Sequence, residues 1–293
     1  MAKLATVGRT FFAVALTGLG IEHFIFREFV TGRAPAWPAS IPGGVVWAYL
    51  TGIAFIGIGV AVLIRKGARP AAILAGALIF AWALLRNVPV VAADSFLGGT
   101  WTRAGKALTF FGGAWAVAST LPAVKAGGAA RLRSFMNRRA EFIVLGRVTL
   151  GIFMIITGFQ HYIFTEFVAS LIPGWFPGDA VFWTYFAGAA LLAGGAGLLV
   201  PWTARLAAFL SGVMVFSWFW IVHLPRTFTS VSDGIAVFEA LAVSGIAFVL
   251  AGYAGDDRGR QADEPIRSAE KRCRPESPRS RTDEGRFPGR GRS

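Results

Sequence analysis

Residues 158–168 read Gly158-Phe159-Gln160-His161-Tyr162-Ile163-Phe164-Thr165-Glu166-Phe167-Val168. The chain has already written nearly the same line as Gly20-Ile21-Glu22-His23-Phe24-Ile25-Phe26-Arg27-Glu28-Phe29-Val30. The offset, 161 − 23 = 138, also carries Gly8-Arg9 onto Gly146-Arg147, and Pro35 and Trp37 onto Pro173 and Trp175. After a contraction of two residues, Trp47, Tyr49 and Gly52 match Trp183, Tyr185 and Gly188, and Arg69, Gly76, Trp82 and Pro89 match Arg205, Gly212, Trp218 and Pro225. So many matches in one order define an internal duplication.

Each copy is built from apolar runs. Of the 293 residues, 55% are hydrophobic and 15% charged, and the mean hydropathy is +0.57. Runs of about 20 apolar residues are the length a helix needs to cross a bilayer. The pattern predicts helices over 7–29, 45–64, 70–91, 104–124, 142–164, 180–200, 203–224 and 234–253. Glycine inside these runs (36 in the chain) costs stability in water but lets membrane helices approach closely. The expected fold is therefore all-α and polytopic. Eight transmembrane helices form two tandem four-helix bundles. Because each copy has an even number of spans, the halves enter the membrane alike, related by a pseudo-twofold axis along its normal. The predicted organisation is a first unit over 1–124, a basic cytoplasmic linker over 125–141, a second unit over 142–255 and a basic disordered tail over 256–293.

The net charge of +13 does not point to nucleic acid, because it flanks the apolar runs or sits in the tail. With the N-terminus inside, twelve Lys and Arg of the connecting segments fall inside and six outside. That favours cytoplasmic termini in a bacterial-type plasma membrane. The first apolar run, interrupted by Glu22 and His23 and lacking a small-residue cleavage site, is expected to be a retained helix. The single cysteine, Cys273, lies in the tail, which excludes an internal disulfide and a thiol relay in the membrane part.

Ionisable groups inside apolar runs are expensive and read as candidate functional residues. The first half contributes Glu22, His23, Arg86, Asn87 and Lys106; the second contributes Gln160, His161, His223 and Glu239. Fourteen residues separate Arg9 from His23, a climb of about 21 Å, and the other groups fall at the same level in the outer third of the bilayer. Repeat alignment pairs Glu22 with Gln160, Asn87 with His223, and Lys106 with Glu239, so the copies differ where chemistry is possible. The plain alternatives are an ion pair of Glu22 with Arg86 or Lys106, and histidines hydrogen-bonded near the headgroups. His161, His223 and Glu239 have ligand chemistry, yet no short-spaced motif supports a metal. Trp37 and Trp175 are expected at the interface, and Arg27, Glu28 and Glu166 in solvent. The outer loops 34–44 and 171–179 are either lids over the bundle mouths or rigid connectors.

The elements Gly-x-x-His-[Phe/Tyr], a Pro/Trp loop, Trp-x-Tyr-x-x-Gly and an Arg-led third helix ending near Asn-x-Pro or His-x-Pro occur twice. Each copy resembles the DoxX-like family of four-helix membrane proteins, over residues 7–253. Such relatives often carry a glutamate shortly after Tyr-x-x-Gly; here Gly52-Ile53-Ala54-Phe55 and Gly188-Ala189-Ala190-Leu191 carry no acid. The resemblance implies a membrane subunit or partner of a quinone- or sulfur-linked redox system, with lipid, quinone or a membrane oxidoreductase complex as partners. The alternative is a non-catalytic binding or transport protein for a small or amphipathic solute. No cofactor follows from the residues.

Overall fold

Lipid offers backbone amides no water to bond, so apolar runs of this length fold as helices. The computed structural model describes residues 2–29, 35–94, 96–124, 130–228 and 231–253. The tail lies outside them. The helices are α1 (Ala2–Phe26), α2 (Gly44–Ile64), α3 (Ala68–Ala93), α4 (Gly99–Ser119), the short α5 (Ala130–Met136), α6 (Arg139–Ile163), the short α7 (Thr165–Ala169), α8 (Ala180–Leu199), α9 (Ala204–Trp218), the three-residue α10 (Leu224–Arg226) and α11 (Val231–Tyr253). A π-turn, Phe219–His223, joins α9 to α10. The expected run 142–164 thus starts earlier, at Arg139, and part of the predicted linker is helical.

Among the described residues, seven helices are long and apolar enough to cross a membrane: Lys3–Phe26, Gly44–Ile64, Ala68–Ala93, Arg139–Ile163, Ala180–Leu199, Ala204–Arg226 and Gly234–Tyr253. The remaining long helix, α4, is the least apolar of the eight. Packing explains its composition. It lies against α3, α6 and α11, and its last turns, from Phe111 to Ser119, are mostly buried. A helix shielded by other helices does not need an apolar circumference.

The order of neighbours is not that of two self-contained bundles. α1 packs along α2 and α11; α4 packs along α3 and α6; α8 lies beside α6, and α9 beside α11. The first helix of each sequence half therefore packs on the last helix of the other half. Glycines permit this. A Cβ on Gly245 of α11 would sit 2.6 Å from the Gly8 carbonyl oxygen of α1, and one on Gly146 of α6 would sit 3.0 Å from the Gly112 oxygen of α4. Between α4 and α11, Gly113 receives the side chain of Ile246. The outer faces carry exposed Ile25, Ile53, Leu74, Leu206 and Leu210, a surface made for hydrocarbon.

At the end away from the candidate residues, Arg69 departs from its expected role as a flanking charge. It is 2% exposed. Its guanidinium donates to Leu121 O (3.0 Å) and Met136 O (2.7 Å), capping carbonyls that the end of α4 and the end of α5 leave without helical donors. Arg69→Met is expected to cost about 2–3 kcal/mol. Thermal unfolding in detergent reads this against Arg65→Met, at an exposed position, which should leave Tm nearly unchanged.

Candidate functional site

The nine candidate residues sit near the C-terminal ends of α1, α3, α6 and the α9–α10 segment, and near the N-terminal ends of α4 and α11. They do not form one cluster. Two cavities divide all of them but Glu22, with α4 lending a face to each.

The first cavity, about 130 Å³, is walled by α1, α2, α3, α4 and α11, and takes His23, Arg86, Asn87, Lys106 and Glu239. The grouping of Glu239 with His161 and His223 is therefore corrected. Glu239 faces Lys106 across the α4–α11 contact, and Lys106 Nζ donates to both its carboxylate oxygens at 2.7 Å. Arg86 does not pair with Glu22. Its Nη2 donates to the Pro35 carbonyl and its guanidinium lies 4.4 Å above the Phe29 ring. Glu22 is buried, and its Oε1 lies 4.0 Å from where a Cβ on Gly234 of α11 would be.

The second cavity, about 550 Å³, is walled by α6, α8, α9 with its π-turn, the start of α4 and the 164–176 segment. Its lining is mostly apolar and aromatic, with His161, His223, Thr157, Thr184 and Ser217 as the polar points. Gln160 also borders it but is committed elsewhere. Its amide donates to Gly98 O (2.9 Å) and Leu97 O (3.2 Å), and its oxygen accepts from Thr102 Oγ1 (2.7 Å). It clamps the entry of α4 onto α6 and is a positioning residue.

His23 and His161 each reach back one turn. His161 Nδ1 lies 2.7 Å from Thr157 O, and His23 Nδ1 lies 2.7 Å from Leu19 O. A carbonyl oxygen only accepts, so Nδ1 carries the proton and Nε2 is the acceptor of the neutral ring. The His161 ring is further held by near-parallel packing on Trp218, 6.2 Å between centroids. His223 enters from the π-turn. Pro225 has no amide to give the helix, and Leu224 N–H reaches back to Phe219 O; such widened turns are frequent at functional sites. Sequence reasoning missed this turn and Trp218, because nothing at Pro225 distinguishes it from Pro89, through which α3 stays α-helical.

The tryptophans of the two Pro/Trp loops are packed differently. Trp37 packs against neighbouring rings. It stacks parallel on Phe29 at 5.0 Å, stands edge-on to Trp82 at 5.4 Å, and donates from Nε1 to Ile41 O at 2.7 Å. Trp175 is 64% exposed. Arg27, Glu28 and Glu166 are exposed, as expected.

The chain is thus a multi-pass membrane protein whose polar groups line two cavities near one end of an all-helical array. A domain of unknown function, DUF8561, matches residues 150–248, a stretch that contains most of the larger cavity's wall. No curated protein and no solved structure matches the chain.

Proposed function

We propose that this protein binds a small, largely apolar molecule carrying a hydroxyl group in the second-half cavity, with that hydroxyl donated to His161. The observation that carries the reading is the 550 Å³ cavity. Its size and apolar lining with few polar points suit a small organic ligand, and the tautomer of His161 leaves Nε2 as an acceptor. In this reading the chain is a doubled DoxX-like unit of eight membrane helices with cytoplasmic termini in a bacterial-type plasma membrane, and the cavities lie in the outer leaflet.

Repeat geometry supports the pseudo-twofold axis. Lys106 and Glu239 are aligned partners in the two copies, and so are Gly113 and Ile246, at the same offset of 133. Each residue meets its own counterpart, as residues beside a twofold axis do. An ancestral homodimer would have set identical groups against each other there. Divergence has made one contact a salt bridge and the other a knob in a hole.

Solute binding is favoured over catalysis because Glu239 belongs to the other cavity. The redox reading keeps one specific support: a hydroquinone has the apolar ring and donor hydroxyl that this cavity suits, so the ligand would be shared with a membrane oxidoreductase. The test is organic extraction and mass spectrometry of the full-length protein purified in mild detergent, followed by titration with a short-chain hydroquinone. His161→Phe should weaken binding about tenfold, the loss of one hydrogen bond. Ala187→Phe, which fills the cavity, should abolish it. Equal saturation in Ala187→Phe, or no saturation in the parent protein, would reject the proposal.

A further inference from the structure

The first-half cavity is a separate place with different chemistry. Arg86 is 5% exposed. Its Nε has no hydrogen-bond partner among the described residues. Its contacts there are the Pro35 carbonyl and the Phe29 ring, neither of which carries a formal negative charge. Lys106 and Glu239 cancel each other at 2.7 Å. Arg103 adds a second positive charge to the wall, and Glu22 is not among the residues that line it. Among the described residues the lining carries Arg86, Arg103 and Lys106 against Glu239 alone, and a buried cation without a counter-charge is strongly unfavourable, so the cavity favours a negative charge.

We propose that the cavity binds a small monovalent anion, a halide or a one- or two-carbon carboxylate, against the Nε edge of Arg86. Size limits the ligand: about 130 Å³ holds roughly four water-sized groups. A second buried group fits the same ligand. Asn87 is 7% exposed and lines the cavity, and its Oδ1 has no hydrogen-bond partner among the described residues. A half-turn of the amide, which places NH2 where the oxygen stands, makes it a second donor. Phe29 and Trp82, packed ring to ring, form part of the cavity's apolar wall. The site requires nothing of the His161 cavity, and either proposal can fail alone.

The experiment uses the full-length protein in detergent at fixed ionic strength, with chloride or acetate replacing gluconate, which is too large to enter. Thermal unfolding of the parent protein should rise saturably by about 2–4 °C. Arg86→Gln should remove the response, and so should Ala83→Leu, which fills the chamber and keeps every charge. A flat parent titration overturns the proposal, as does an undiminished response in either variant. Should Arg86→Gln fail to fold, equilibrium dialysis of radiolabelled chloride against the parent and Ala83→Leu decides the matter: saturable binding to the parent alone supports the site, and equal or absent binding overturns it.

Discussion

Glu239→Gln is expected to destabilise the folded protein by about 3–5 kcal/mol, the cost of leaving one member of a buried ion pair uncompensated. Both side chains of the Lys106–Glu239 pair are 12% exposed, so water screens the pair little. Lys106→Met should cost a similar amount. The double change Lys106→Met with Glu239→Met should recover most of the loss, because two apolar side chains fill the gap between α4 and α11 without a charge to desolvate. Glu166→Gln, at an exposed position, should stay within about 0.5 kcal/mol of the parent. A double-mutant cycle in detergent measures the coupling. A double variant no more stable than the singles would mean that the charges do more than neutralise each other.

The second large effect concerns one substitution, Gly to Ala, with opposite outcomes at two positions. A Cβ on Gly245 would lie 2.6 Å from Gly8 O and 2.8 Å from Phe12 N, both backbone atoms that no rotamer change can move. α1 and α11 would have to separate, and Gly245→Ala should cost about 1–3 kcal/mol. Gly57, on α2, has nothing within 4 Å of the same added carbon. There the removal of glycine's backbone freedom should be neutral or stabilise by up to about 1 kcal/mol. The two Tm shifts should differ in sign, or at least only the first should be a loss. Equal losses would show that the α1–α11 crossing is not the close seam described.

Much of the site's raw material was legible in residue order. His23 and His161 stand at matching places in the two copies, and the structure gives both the same bond to the carbonyl one turn back. That bond is local, spanning four residues of one helix, which is why a repeat of the sequence repeats the geometry. Gln160 was legible as a polar residue in an apolar run, but not as a clamp, because its partners Leu97, Gly98 and Thr102 come from a distant part of the chain. Arg69 read as a loop charge for the same reason: Leu121 and Met136, which it caps, are remote in sequence.

By itself, the order of residues determined the solvent and the elements. Long apolar runs demand lipid and must satisfy their amides within one helix, which are properties of consecutive residues. Only the tertiary structure decided that the first helix of each half packs on the last helix of the other, that Glu239 joins Lys106 and not His161, and that Trp37 packs on Phe29 and Trp82 while Trp175 stays exposed. Those outcomes depend on which apolar faces meet. In a chain apolar nearly all the way round its helices, periodicity does not single out a face, and close packing of glycines and aromatics makes the choice.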